Sequence, residues 1–202
     1  LLGGLYRPWS GSIRIAGRDP MALQATERRR CLGVVPQTVQ LFTGSLRDNL
    51  TLDDAALTDD DLWRALDVAG AGDMVRALPE GLDTPLSPQG GGSGAQLSAG
   101  QRQLLALARA LAGNPLVRLL DEATASVDSA TEATFRQAVN AHVRARGGAV
   151  LTIAHRLATA LEADEVIVLG DGHILEQGTP QELISRGGML ANLWELERSG
   201  WA

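Results

Sequence analysis

The run Leu119-Leu120-Asp121-Glu122 puts two carboxylates at the end of an apolar stretch. In α/β folds, ligands sit at the carboxyl ends of buried strands. There the first acid can orient Mg²⁺ on a nucleoside triphosphate, and the second can polarise an attacking water. Taken alone, the pair is equally well explained by a helix N-terminus just beyond it, whose dipole favours acids. Three other groups bear on the choice. Gln96-Leu97-Ser98-Ala99-Gly100-Gln101 opens a helical stretch, with Ser98 and Gln101 at capping-box spacing. Gly100 in that first turn costs helix stability, yet it lets a ligand approach the backbone, where unpaired N–H groups face an anion. His155 follows the apolar run Ala149–Ile153, where it can donate to a phosphate or hold a water, and Gln37 follows Leu32–Val35 and Pro36. An amide at that point can reach a metal or its water without adding charge.

These residues need elements to position them. Short apolar runs at 32–35, 117–120 and 149–153 read as buried strands, and the alternation of Ser12-Ile13-Arg14-Ile15 between glycines reads as another. Helical patterns cover 23–30, 59–78 with a break near Gly70-Ala71-Gly72, 98–112, and 130–144. A helix from Pro180 onward closes the chain. Gly170-Asp171-Gly172 between two strand-like runs signals a hairpin. Residues 85–95, rich in Gly, Ser and Pro, read as a loop. Strands alternating with helices predict an α/β domain with a largely parallel sheet and an inserted α-helical subdomain.

Composition narrows the function classes. With 202 residues, 45% hydrophobic and 21% charged, the chain can bury a sizeable core. A net charge of −6 argues against nucleic acid or an anionic membrane as the main partner. A single cysteine, Cys31, fits a reducing, cytosolic compartment and reads as a small apolar residue opening a strand. No apolar run is long enough to span a bilayer, and no secretory signal is present. All 18 basic residues are arginines. The absence of an initiator Met, with Leu1–Tyr6 reading like the end of a helix, leads us to expect a fragment.

The order Gln37, Leu97-Ser98-Ala99-Gly100-Gln101, Asp121-Glu122-Ala123-Thr124-Ala125-Ser126-Val127-Asp128 and Ala154-His155-Arg156 resembles the nucleotide-binding domain of an ABC transporter. The resemblance runs almost the whole chain. It implies a P-loop NTPase-like core with an inserted helical subdomain over about 45–112, the remainder being RecA-like. By resemblance Gln37 is the Q-loop glutamine and a metal contact, and Asp121 is the Walker B aspartate on the metal. Glu122 is the general base, Ser126 and Asp128 belong to the D-loop, and His155 is the switch histidine. Leu97–Gln101 are the signature that contacts ATP in trans. The stretch Gln40–Leu50 and Leu78–Thr84 are similar to the exporter branch, whose transmembrane domain is usually fused upstream.

The resemblance therefore implies ATP and Mg²⁺, a second nucleotide-binding domain (identical or different), and a place on the cytoplasmic face of the cell membrane. Three departures stand against the family pattern. The lysine-bearing phosphate loop and its preceding strands are missing, and no lysine occurs anywhere in the 202 residues. Arg118 interrupts the Walker B strand, which leads us to expect a carboxylate partner, an exposed edge or lost stability. Residues 86–95 lack the glutamate of exporter relatives and carry Gly90-Gly91-Gly92-Ser93-Gly94. The alternative is a truncated or degenerate non-catalytic half that offers only its signature face to an intact partner. ABC ATPases of chromosome maintenance are disfavoured by the acidic balance and the lack of long heptads.

Overall fold

The computed structural model describes residues 1–87, 95–121, 129–154 and 156–199, with backbone alone for 129–135. The chain divides into two compact units, Leu1–Ile153 and Ala154–Ala202.

In the first unit, α1 (Ala25–Cys31) is opened by a capping box between Gln24 and Glu27, and it runs directly into β1 (Leu32–Val35). Pro36 then ends the strand. β4 (Val117–Asp121) pairs in parallel with β1 on one side and with β5 (Ala149–Ile153) on the other. The register sets Val35 beside Leu120 and Asp121 beside Ile153. The link from β4 to β5 carries α6 (Ser129–Arg146), the helical crossover that parallel neighbours require.

Between β1 and β4 lie β2 (Gly44–Ser45), α2 (Leu46–Thr51), α3 (Asp59–Ala69), α4 (Gly72–Arg76), β3 (Pro85–Leu86) and α5 (Ala99–Ala112). α3 starts at a capping box between Thr58 and Asp61 and stops at Gly70, whose φ of 75° only glycine adopts without strain. One continuous core joins Val35 and Leu120 of the sheet to Leu62 and Leu66 of α3, Val75 of α4, Leu105 and Leu111 of α5, and Val139 of α6. α5 packs so closely on β1 that a methyl group at Gly33 would overlap the carbonyl of Ala110. Cys31 is buried beside Ile15, Leu23 and Leu32 on the other side of the sheet.

Among its described residues the second unit is a β-hairpin with three helices. β6 (Val166–Gly170) and β7 (His173–Gly178) meet at Asp171 and Gly172, both at positive φ, as a two-residue hairpin turn demands. α7 (Leu157–Leu161), α8 (Pro180–Arg186) and α9 (Met189–Arg198) complete it, with Val166, Leu183 and Leu190 as its core.

Four expectations change. Residues 12–15 form no strand: only Ile15 bridges to Arg18, and Pro20, which has no N–H, stands where the ladder would continue. The closing helix is two helices. Gly187 ends α8 in the left-handed region, and the Glu176 carboxylate accepts from the amides of Met189 and Leu190 at 2.7 and 3.0 Å to start α9. The 85–95 loop contributes a short strand, β3, paired antiparallel with β2, and Ala95 bridges Leu86. β5 is not buried as its composition implied: Leu151 and Ile153 are exposed, as is Val34 on β1. All three lie on the same side of the sheet, opposite α5.

Candidate functional site

Parallel pairing sends all three strands in one direction, so their carboxyl ends share one edge. Asp121 is the last residue of β4, one step past the Val35–Leu120 pair, and Gln37 follows the end of β1 by two residues. Gln37 is exposed and Asp121 half-buried. A carboxylate and an amide oxygen are the hard donors that Mg²⁺ takes, in a partial shell that leaves room for phosphate oxygens and water. The donor chemistry therefore fits the ion. Among the described residues no cluster of three or more His, Cys, Asp or Glu forms a ready-made metal cage. Glu122, Ser126, Asp128 and His155 lie outside the described residues.

The signature residues stand at the start of α5. Ser98 Oγ accepts from the Gln101 amide at 3.1 Å, while Gln101 Oε1 accepts from the Ser98 amide at 2.8 Å. This reciprocal cap uses two of the orphan amides and leaves those of Ala99 and Gly100 without a partner among the described residues. Arg102 ties back to the Leu97 carbonyl at 2.7 Å, fixing the entry to the helix. Because Ala110 rests on Gly33, Ser98 lies roughly 18 Å away along the axis, at 1.5 Å per residue. No hydrogen bond or ion pair joins Ser98–Gln101 to Asp121 among the described residues.

Two of the three expected fates of Arg118, an exposed edge and a carboxylate partner, are not found among the described residues. It is 1% exposed and has no carboxylate within ion-pair distance among the described residues. Its Nη2 donates to Asn114 Oδ1 at 3.1 Å and its Nη1 to the Gly147 carbonyl at 3.4 Å. Asn114 holds a left-handed backbone, φ 44°, which lets its side chain turn inward. His142 on α6 meets the same Asn114 oxygen at 3.2 Å.

Burial first, then the charge of Arg118, followed by Arg146 and Arg64, holds the His142 imidazole below its ordinary value of 6.5. The folded chain thus binds this proton more weakly than the unfolded chain does. Its contribution to stability is present above the ordinary imidazole value and lost as pH falls below it. We expect His142 to titrate below 6.5 by NMR, and to move back up in Arg118→Met. An unchanged titration in that variant would sever the two residues.

Sequence reading missed Arg109 and Asn49. Arg109 had a signal, a charged side chain inside the otherwise apolar helical run Leu104–Ala112, whereas Asn49 follows Arg47 and Asp48 and does not stand out. Gln103, 5% exposed with its amide nitrogen unpartnered among the described residues, is a third.

Comparison with known proteins gives the family. The model of the family described as ABC transporter matches residues 1–125, more than half of the chain. The chain belongs to the ABC transporter family. It is 36% identical, over 98% of its length, to a probable multidrug resistance ABC transporter ATP-binding/permease protein (YheH) of Bacillus subtilis, of which it covers 28%. It is 38% identical over 98% of its length to the mitochondrial iron-sulfur clusters transporter ABCB7 of Danio rerio, covering 26% of that protein. The fold matches a bacterial Atm1-family ABC exporter solved with ATP bound, with a TM-score of 0.81 and 34% identity, over 95% of this chain and 32% of that one. The α/β architecture with its parallel sheet is therefore that of an ABC exporter's nucleotide-binding part. The chain spans about a quarter to a third of these relatives. Among the described residues of this ABC transporter chain, no helix is long and apolar enough to cross a membrane.

Proposed function

We propose that the chain is the ATP-binding and ATP-hydrolysing part of an ABC exporter, coupling hydrolysis to transport across a membrane. The observation that carries this reading is the shared strand edge: Asp121 ends β4 beside the exit of β1, and Gln37 follows that exit by two residues. In this reading Asp121 and Gln37 hold Mg²⁺, which neutralises charge on the phosphates. Glu122 takes a proton from the attacking water, and His155 donates to the terminal phosphate. Ser126 and Asp128 face the partner. The amides of Ala99 and Gly100 and the Ser98 hydroxyl act on ATP held by a second nucleotide-binding domain, identical or different.

Residues 45–112 form the helical subdomain and the remainder the RecA-like core. The relatives named as ATP-binding/permease proteins support a transmembrane domain in the same polypeptide and a place on the cytoplasmic face of the membrane.

Because these 202 residues contain no lysine, the chain by itself is expected to show no steady ATP hydrolysis. A preparation with turnover that Glu122→Gln abolishes would overturn this. Joined to a lysine-bearing phosphate loop, the same Glu122→Gln change is expected to cost about 10²–10⁴-fold in rate, the worth of a general base. A loss below tenfold would remove Glu122 from that role. The missing lysine also favours a second reading, a non-catalytic half that lends its signature face to an intact partner. Titrating the chain against such a partner tests it: hydrolysis should rise, and no rise without detectable association would exclude it.

A further inference from the structure

The loop after β1 is held by one side chain from α5. Arg109, about three turns beyond Ser98, donates from Nη1 to the Gln40 carbonyl at 2.9 Å. Its Nε donates to the Asn49 carbonyl at 2.7 Å, and its Nη2 to Asn49 Oδ1 at 3.1 Å. The guanidinium also lies over the Phe42 ring, 5.5 Å from its centre. Asn49, 2% exposed, completes the clamp. Its Oδ1 accepts from the Phe42 amide at 2.8 Å, and its Nδ2 donates to the carbonyls of Phe42 and Ser45 at 2.8 and 3.0 Å. The loop from Gln37 to Thr43 and α2, which follows it, are thus bound at one point to a helix about sixty residues further on, the one that begins with the signature.

Packing alone does not account for an arginine here. Arg109 is half-buried, burial pulls its pKa below the ordinary guanidinium value, and it has no carboxylate within ion-pair distance among the described residues. An apolar side chain of similar volume fills such a space at lower cost. What arginine adds is a planar fork whose donors point in fixed, divergent directions, which lysine does not reproduce. Both ends of the connection are site elements in the function proposed above, on which this inference rests.

We propose that Arg109 is a positioning residue that ties the Gln37 loop to the signature helix, so that the strand-edge site and the signature surface shift together. Neither Arg109 nor Asn49 touches nucleotide in this account. They act through the segments they hold.

The test uses the 202-residue chain and its Arg109→Lys and Arg109→Met variants. Amide hydrogen exchange is expected to accelerate roughly tenfold or more over residues 38–50 in both, the scale of losing hydrogen bonds to a charged donor. Exchange in α3 should stay as it is. Equal acceleration in α3, or wild-type exchange over 38–50, would overturn the proposal. Should the Met variant not fold, the Lys variant carries the same reading. With an intact nucleotide-binding partner, both variants should lower the maximal hydrolysis rate while leaving the half-saturating chain concentration unchanged. Full rescue by Met, or a shift in the half-saturating concentration alone, would reduce Arg109 to packing. If the wild-type chain gives no stimulation, the functional reading fails, and the exchange data still decide the tether.

Discussion

Gly100→Asp is expected to abolish stimulation of an intact nucleotide-binding partner while leaving the chain as stable as before. The two effects separate because they have different physical origins. Gly100 lies in the first turn of α5, where the capping box between Ser98 and Gln101 leaves its amide unused. An aspartate there suits the helix: it replaces the most flexible residue, and its charge meets the positive end of the dipole, a gain of about 0.3–1 kcal/mol. The same carboxylate occupies the approach to the free amides and repels a phosphate. Losing one well-aimed donor to developing charge costs about 10²–10³-fold in rate, and adding a like charge deepens the loss. Partner hydrolysis and thermal unfolding should be measured on the same preparation. Stimulation retained in Gly100→Asp would mean that no phosphate approaches this turn. A fall in both stability and stimulation would mean only that the helix start had been damaged.

The second large effect concerns stability. Arg118→Met is expected to leave the chain equally stable or to stabilise it by about 1–4 kcal/mol, as is common when a buried ionic group gives way to an apolar one of similar volume. Arg118 faces the same side of the sheet as Leu120, within 1% exposure, and its acceptors are the neutral Asn114 side chain and the Gly147 carbonyl. Its Nε has no partner among the described residues. Removing an acceptor instead should hurt. Asn114→Gly keeps the left-handed backbone free of strain but deprives a buried cation of its shorter hydrogen bond, a loss of about 3–5 kcal/mol. The double variant should recover most of that loss, because the two residues share one network. Urea unfolding of the four proteins checks the cycle. Additive losses would mean that Arg118 and Asn114 act independently.

The elements were largely legible because their signals are local. Thr58 with Asp61, Ser98 with Gln101 and Thr179 with Glu182 are capping boxes visible as spacings, and each starts a helix in the structure. Asp171-Gly172 was legible as a hairpin for the same reason: its backbone requirement is met by the residues themselves. Residues 12–15 misled, since alternation states that a strand could form but not whether a partner edge exists. Pro20 denies the nearest one. The break in the closing helix was missed because one of its causes, Glu176 capping α9, lies on a different element.

The sequence by itself determined the α/β class, the family to which the chain belongs, and the order of its candidate site residues. All of these are carried by residue type and spacing along the backbone. Tertiary structure alone decided that β4 is flanked on both sides, so that Asp121 comes to lie beside the exit of β1 towards Gln37. It also decided that Arg118 is buried among neutral acceptors, and that Arg109 joins a loop, α2 and α5. The physical reason is the same in each case. Register, burial and hydrogen bonding between distant segments depend on which surfaces meet after the chain collapses, and no local pattern encodes the partner.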